Sequence, residues 1–210
     1  MSILSLFGVG GKATEEEKFW VWFQKNSNDI FHFERDREKV FEKLTTALAN
    51  VNKDLTFEFS PIRENGKREF VISAGGIKSA FSSVESLCQA APDLEKWIVV
   101  AYRQRRSLLN DLSIGDVTVK AEDVYYHLYP DGDKLGVVLF FEHFSQDEYP
   151  LYGNLGYLFL DESLGEYDVE TKLGFIEFHN TSSSHFEGAR PLSSLAEQVD
   201  AFYTNSTVKG

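Results

Sequence analysis

Phe70-Val71-Ile72-Ser73-Ala74-Gly75-Gly76, the stretch Ser79–Ala91, Pro92 and then Trp97-Ile98-Val99-Val100-Ala101-Tyr102 decide the fold. Phe70–Ser73 is apolar and partly β-branched, which predicts a strand. Ala74-Gly75-Gly76 predicts a turn, because glycine takes positive φ angles that other residues resist. Phe81, Val84, Leu87, Cys88 and Ala91 recur every three to four positions, one face of a helix. Pro92 cannot continue that helix, lacking an N–H and disfavouring helical geometry in its predecessor. Trp97–Tyr102 is apolar without alternation, which predicts a central strand covered on both faces. Strand, helix and strand at this length make a right-handed βαβ crossover.

Outward from this unit, Leu55-Thr56-Phe57-Glu58-Phe59 alternates as a half-buried strand does. Asn65-Gly66 lies in the turn that returns it, so 54–60 and 67–73 are expected to pair as a hairpin. Upstream, Thr14 and Glu17 have capping-box spacing, and Glu15–Glu17 suit the positive end of a helix. Phe19, Trp20, Trp22 and Phe23 follow on that helix, and Asn26–Asp29 is expected to break it before a short extended Ile30–Phe33. Val40, Phe41, Leu44, Leu48 and Val51 form the stripe of a second helix over Asp36–Val51. The opening Ser2–Phe7 has no preceding basic residue and makes a poor signal peptide. It is expected to be a tail or an added edge strand, with an amphipathic surface anchor as the alternative.

The second half repeats the order hairpin, helix, strand. Tyr125, His127 and Tyr129 alternate with Val124, Tyr126 and Leu128 in a strand over 124–129. A turn at Pro130–Asp133 leads to an apolar strand at Leu135–Phe141. Leu151–Leu164 predicts a helix lined by Leu151, Leu155, Leu158 and Phe159, with Gly165 placed for a left-handed cap. Leu173–Phe178 predicts a last strand, Thr181–Arg190 a loop, and Pro191 with Ser194-x-x-Glu197 the start of a final helix. The expected fold class is α+β: a mixed, largely antiparallel sheet, helices mainly on one face, two loosely similar ββαβ halves. One domain over 1–210 is expected, with lobes at 13–106 and 117–204 and a boundary near Ser107–Asp116.

The 42% hydrophobic and 14% aromatic residues predict a folded chain. No apolar run approaches the roughly 20 residues that a membrane helix needs. The single cysteine excludes an internal disulfide. Cys88 lies on the apolar face of its helix and reads as a small buried hydrophobe. A reducing cytoplasm is the expected compartment. Charge is uneven. Residues 1–106 hold 15 acids and 16 bases, whereas 107–210 hold 18 acids and 5 bases. Such a second half repels phosphate backbones, so nucleic acid is not an expected partner. It attracts a basic protein or a cationic small ligand.

Candidate site residues follow from these placements. Glu166 and Asp168, between helix and strand, suit acid–base work if burial splits their titrations, or a turn that binds backbone amides, which is the favoured reading. Glu142 and His143 end an inner strand, where α/β-type sheets place sites. His127 and His179 lie on strands, but none of these histidines has metal-ligand spacing, and no metal or cofactor is expected. Ala74-Gly75-Gly76 lacks a full phosphate-loop pattern and reads as a tight turn. Arg103, Arg105 and Arg106 are set to grip an anion or, as favoured, to pair with nearby acids. Tyr125, Tyr129, Tyr149, Tyr152 and Tyr157 cluster in the acidic half, where aromatic rings beside carboxylates suit a cationic partner or simply pack, with Tyr125 and Tyr129 the candidate binding residues.

Gly165-Glu166-Tyr167-Asp168-Val169-Glu170-Thr171-Lys172 and Gly174-Phe175-Ile176-Glu177-Phe178 resemble a stretch of an uncharacterised bacterial family. Ile72–Gly76, Ala91-Pro92 and Trp97 are similar to that family's first half. The resemblance implies a soluble α+β domain and assigns no activity or catalytic residue. The leading expectation is a non-catalytic binding protein that uses Glu142, His143, Glu166, Asp168, Tyr125 and Tyr129. The alternative is a small hydrolase or ligand-binding enzyme that holds its carboxylates and His143 in a groove between the halves.

Overall fold

The computed structural model of the chain describes residues 12–207. The opening segment Ser2–Phe7, expected as a tail or edge strand, lies outside the described residues. The fold is α+β, with six α-helices among those residues and mostly antiparallel strand pairs. Contacts divide the chain into two compact units, Met1–Tyr102 and Arg103–Gly210.

The first unit begins with α1 (Glu15–Phe31) and α2 (Arg37–Val51). The capping box forms as expected: Thr14 Oγ1 accepts from Glu17 N at 3.2 Å, and Glu17 Oε2 accepts from Thr14 N at 3.0 Å. Asn26–Asp29 does not end α1, which runs on to Phe31; Ile30–Phe33 is therefore not extended. The reason is packing. Ile30 and Phe31 extend the buried stripe of Phe19, Trp20 and Phe23, and Ser27 Oγ accepts the Trp97 indole N–H at 2.8 Å. Tertiary contact outweighs the poor helix propensity of Asn, Ser and Asp.

Next come β1 (Thr56–Phe59), β2 (Arg68–Ser73), α3 (Phe81–Gln89) and β3 (Trp97–Ala101). The hairpin β1–β2 and the βαβ unit β2–α3–β3 are both present, in the order β1-β2-β3. β2, not β3, is central, and β3 is an edge strand with four of its five residues half-buried. Register explains this. Val99 pairs with Phe70 and Ala101 with Ile72 on the core side, leaving Ile98 and Val100 on the other. β-branched residues favour a pleated surface at an edge as well as at the centre, so an apolar run alone does not report depth.

The first core is aromatic, with Phe23 and Phe70 stacked 4.9 Å apart and Trp97 edge-on to Phe23 at 5.2 Å. Arg68 is buried beside it. Its guanidinium lies over Phe33 at 4.6 Å and Phe31 at 5.5 Å, and Nη2 donates to Glu34 Oε1 at 2.6 Å. The unit closes on Tyr102, which is buried with a left-handed φ of 63°. Tyr102 N donates to Ile72 O at 2.8 Å, and its hydroxyl reaches Phe81 O and Glu85 Oε1.

The second unit contains a small hairpin, β4 (Leu112–Ile114) and β5 (Val117–Val119), within the region expected to be a boundary. It continues through β6 (Tyr125–Asp131), β7 (Lys134–Phe141), α4 (Tyr149–Leu164), α5 (Glu166–Lys172), β8 (Leu173–Asn180), β9 (Arg190–Pro191) and α6 (Leu195–Thr207). Its main sheet runs β8-β7-β6-β9, with β7 and β8 parallel. Antiparallel pair, helical crossover and parallel strand thus occur in both units. Among the described residues the strands form three sheets, two of them mixed. Helices α4, α5 and α6 share a core with Tyr126, Leu139 and Phe178 on one face of the main sheet. α4 approaches closely because Gly156 has no side chain: a Cβ there would run into the Phe178 ring. No helix among the described residues is long and apolar enough to cross a membrane.

Candidate functional site

The main sheet of the second unit has a second face, opposite the one that packs on α4, α5 and α6. Alternation places Tyr125, His127, Tyr129 and Asp131 of β6 on that face. Pairing sets Phe140 opposite Tyr125, Val138 opposite His127 and Gly136 opposite Tyr129. On β8, His179 and Glu177 follow as partners of Phe140 and Val138. Phe175 lies flat across Gly136, where a Cβ would collide with its ring, and stacks on Tyr129 at 6.5 Å. The segment after β8 turns back over this face rather than leaving as a free loop. Phe186 meets Tyr125 edge-on at 5.3 Å and Phe140 at 5.5 Å, and His185 lies 5.7 Å from His179. Three of the five histidines are therefore gathered here. Phe140 is fully buried beneath this lattice, while Tyr129 remains 42% exposed and the Glu177 side chain 59%.

The predicted residues fall into three places. Tyr125 and Tyr129 belong to the face just described. Glu142 and His143 lie beyond the end of β7 with side chains 71% and 80% exposed and 3.9 Å from each other, and the Glu142 carbonyl accepts from Asn180 Nδ2 at 2.8 Å. Glu166 and Asp168 follow the C-terminus of α4 at Leu164, as the sequence suggests, and they also form the first turn of a further helix, α5, where carboxylates are favoured. α5 enters β8 at Leu173, opposite Leu135, whereas Glu142 follows Phe141. The two ends of β7 are six residues apart, about 20 Å. The four groups of the hydrolase reading do not share one site.

Glu166 is fully buried. Its backbone N–H donates to Arg103 O at 3.0 Å, and its carboxylate accepts from Arg103 N at 3.1 Å. Arg103 Nη1 also donates to Asp161 Oδ2 at 3.1 Å. Burial is the main reason that the Asp161 carboxyl is pushed up to about 7; Arg103 opposes the shift and Glu166 adds to it. Arg105 grips Asp200 through two bonds of 2.7 and 3.0 Å and lies 3.6 Å from Asp168. That pairing holds Asp200 below the usual carboxylate range. Arg106 lies 3.1 Å from Glu162. The basic knot thus pairs with acids, the favoured reading of its sequence. A groove of about 730 Å³ nearby is lined by Ser163, Arg105 and Leu192, not by Asp161 or Glu166. Burial and backbone bonds make the Arg103–Asp161–Glu166 cluster a structural tie.

Among the described residues no group of three or more His, Cys, Asp or Glu is arranged to hold a metal ion. Cys88 is half-buried, and burial pushes its thiol up to about 11. Sequence reasoning missed Phe175 and Phe186 as parts of the aromatic face. The alternation Phe175, Glu177, His179 was available for the first, but nothing local marks Phe186, whose neighbours come from β6 and β7. No family model, curated protein or solved structure matches this chain.

Proposed function

We propose that this protein is a non-catalytic binding protein whose acidic second unit receives a basic protein partner on the outer face of its main sheet. The observation that carries the reading is the aromatic lattice of Tyr125, Tyr129, Phe175 and Phe186 on the sheet face opposite the one that packs on α4, α5 and α6. Exposed aromatic rings are the residues that anchor partners at interfaces. Residues 103–210 hold 18 acids and 8 bases, a net −10, and Glu177 and Asp131 stand on the face itself. Such a field draws cationic surfaces in, and rings beside carboxylates hold Lys and Arg side chains. Glu142 and His143 lie beyond the end of this sheet, and Glu166 and Asp168 serve the Arg103–Arg105 tie.

Binding of a decapeptide of alternating arginine and threonine, followed by calorimetry, tests the reading. Low-salt binding is expected, with a loss of about tenfold or more on going to 0.5 M salt, where charges are screened beyond about 4 Å. Tyr129→Ala with Phe175→Ala is expected to weaken binding by about tenfold or more, as loss of aromatic anchors does, with the fold retained by circular dichroism. Unchanged binding in the double variant would end the proposal.

A further inference from the structure

The two edges of the main sheet are built differently. β9, one edge, has two residues, of which one is Pro191. Proline and shortness are the devices by which sheets refuse a further strand. β8, the other edge, runs eight residues without proline and among the described residues pairs only with β7. It is the longest edge strand among the described residues. No hydrogen bond from outside the sheet reaches the backbone of residues 174–179 among those described. Gly174 lies exposed on this strand, and Phe175, Glu177 and His179 carry the aromatic face to its rim.

We infer that the partner contributes an extended basic segment that adds as a strand to the free edge of β8, an inference that rests on the binding reading above. Main-chain hydrogen bonds to β8 supply affinity, and alternate side chains of the segment fall on the outer face. There a Lys or Arg meets Glu177 and the ring of Phe175. A second copy of this chain is disfavoured as the occupant, because antiparallel pairing of two β8 strands brings together two units of net −10 each and sets Glu177 carboxylates near each other.

The test uses the full chain and the arginine–threonine decapeptide in three forms: unmodified, N-methylated at every arginine, and N-methylated at every threonine. In a strand, N–H groups point alternately to the two sides, so one methylated form keeps every N–H that faces β8 and the other loses them all. The form that loses them is expected to bind at least about 30-fold more weakly, since four or five main-chain bonds go. The other is expected to bind within about threefold of the unmodified peptide. Amide exchange at residues 174–179 is expected to slow when peptide is bound. Equal binding by all three forms overturns the strand addition and leaves the face as a binding surface. Failure of the unmodified peptide to bind at low salt overturns both. A dimer by light scattering, with the amides of 174–179 already protected without peptide, assigns the edge to a second copy and overturns the inference.

Discussion

Asp161 ties pH to the stability of the second unit. Its carboxyl, at 3.8 in its ordinary state, is pushed up to about 7 in the fold, so the folded protein binds a proton more tightly than the unfolded one. Between those values the folded state holds the extra proton, and stability therefore falls as pH rises from 4 to 7, then levels. The full shift sets an upper bound of about 4 kcal/mol on this loss. Asp161→Asn is expected to flatten that limb, as read by urea midpoints at pH 5 and pH 8. Glu166 lies in the same tie, and its sequence position gave no warning of burial. The group that satisfies it is the backbone of Arg103, 63 residues away. Tyr125 and Tyr129 were legible, because period-two alternation reports a face directly.

At the scale of elements, the two glycines that let rings lie down carry more of the packing than their size suggests. Gly156→Val is expected to destabilise the second unit by about 2 kcal/mol or more, because its side chain collides with the buried ring of Phe178. A lower urea midpoint with an unchanged slope would show this. Helices α2, α3 and α4 were legible from apolar spacing, and the hairpin β1–β2 from alternation and Asn65-Gly66. What failed were boundaries and depth. Asn26–Asp29 has the composition of a break, yet Ile30, Phe31 and Ser27 have partners on β3 and in the core that hold the helix together. α5 was hidden because its seven residues directly follow Gly165, which both caps α4 and begins the next helix. The apolar run of β3 reads as central because periodicity cannot tell an edge strand with one packed face from a strand packed on both.

For the whole molecule, each unit has its own hydrophobic core, and no sheet among the described residues draws strands from both units. Fragments 12–102 and 103–207 are each expected to unfold cooperatively when produced alone, as followed by near-ultraviolet circular dichroism in urea. A fragment without a cooperative transition would show that its core needs the rest of the chain. The charge asymmetry legible in the sequence follows this division, with a net −2 for residues 1–102 and −10 for 103–210.

Tyr102, with its φ of 63°, stands where a glycine would be at ease. A left-handed residue with a Cβ costs about 1–2 kcal/mol, and the ring and hydroxyl, locked onto α3, are what hold it there. The final residue of the first unit therefore works like a set latch. If the phenol is trimmed away, the peptide has every reason to swing back to ordinary geometry, and the strand it terminates would begin to peel from its last rung.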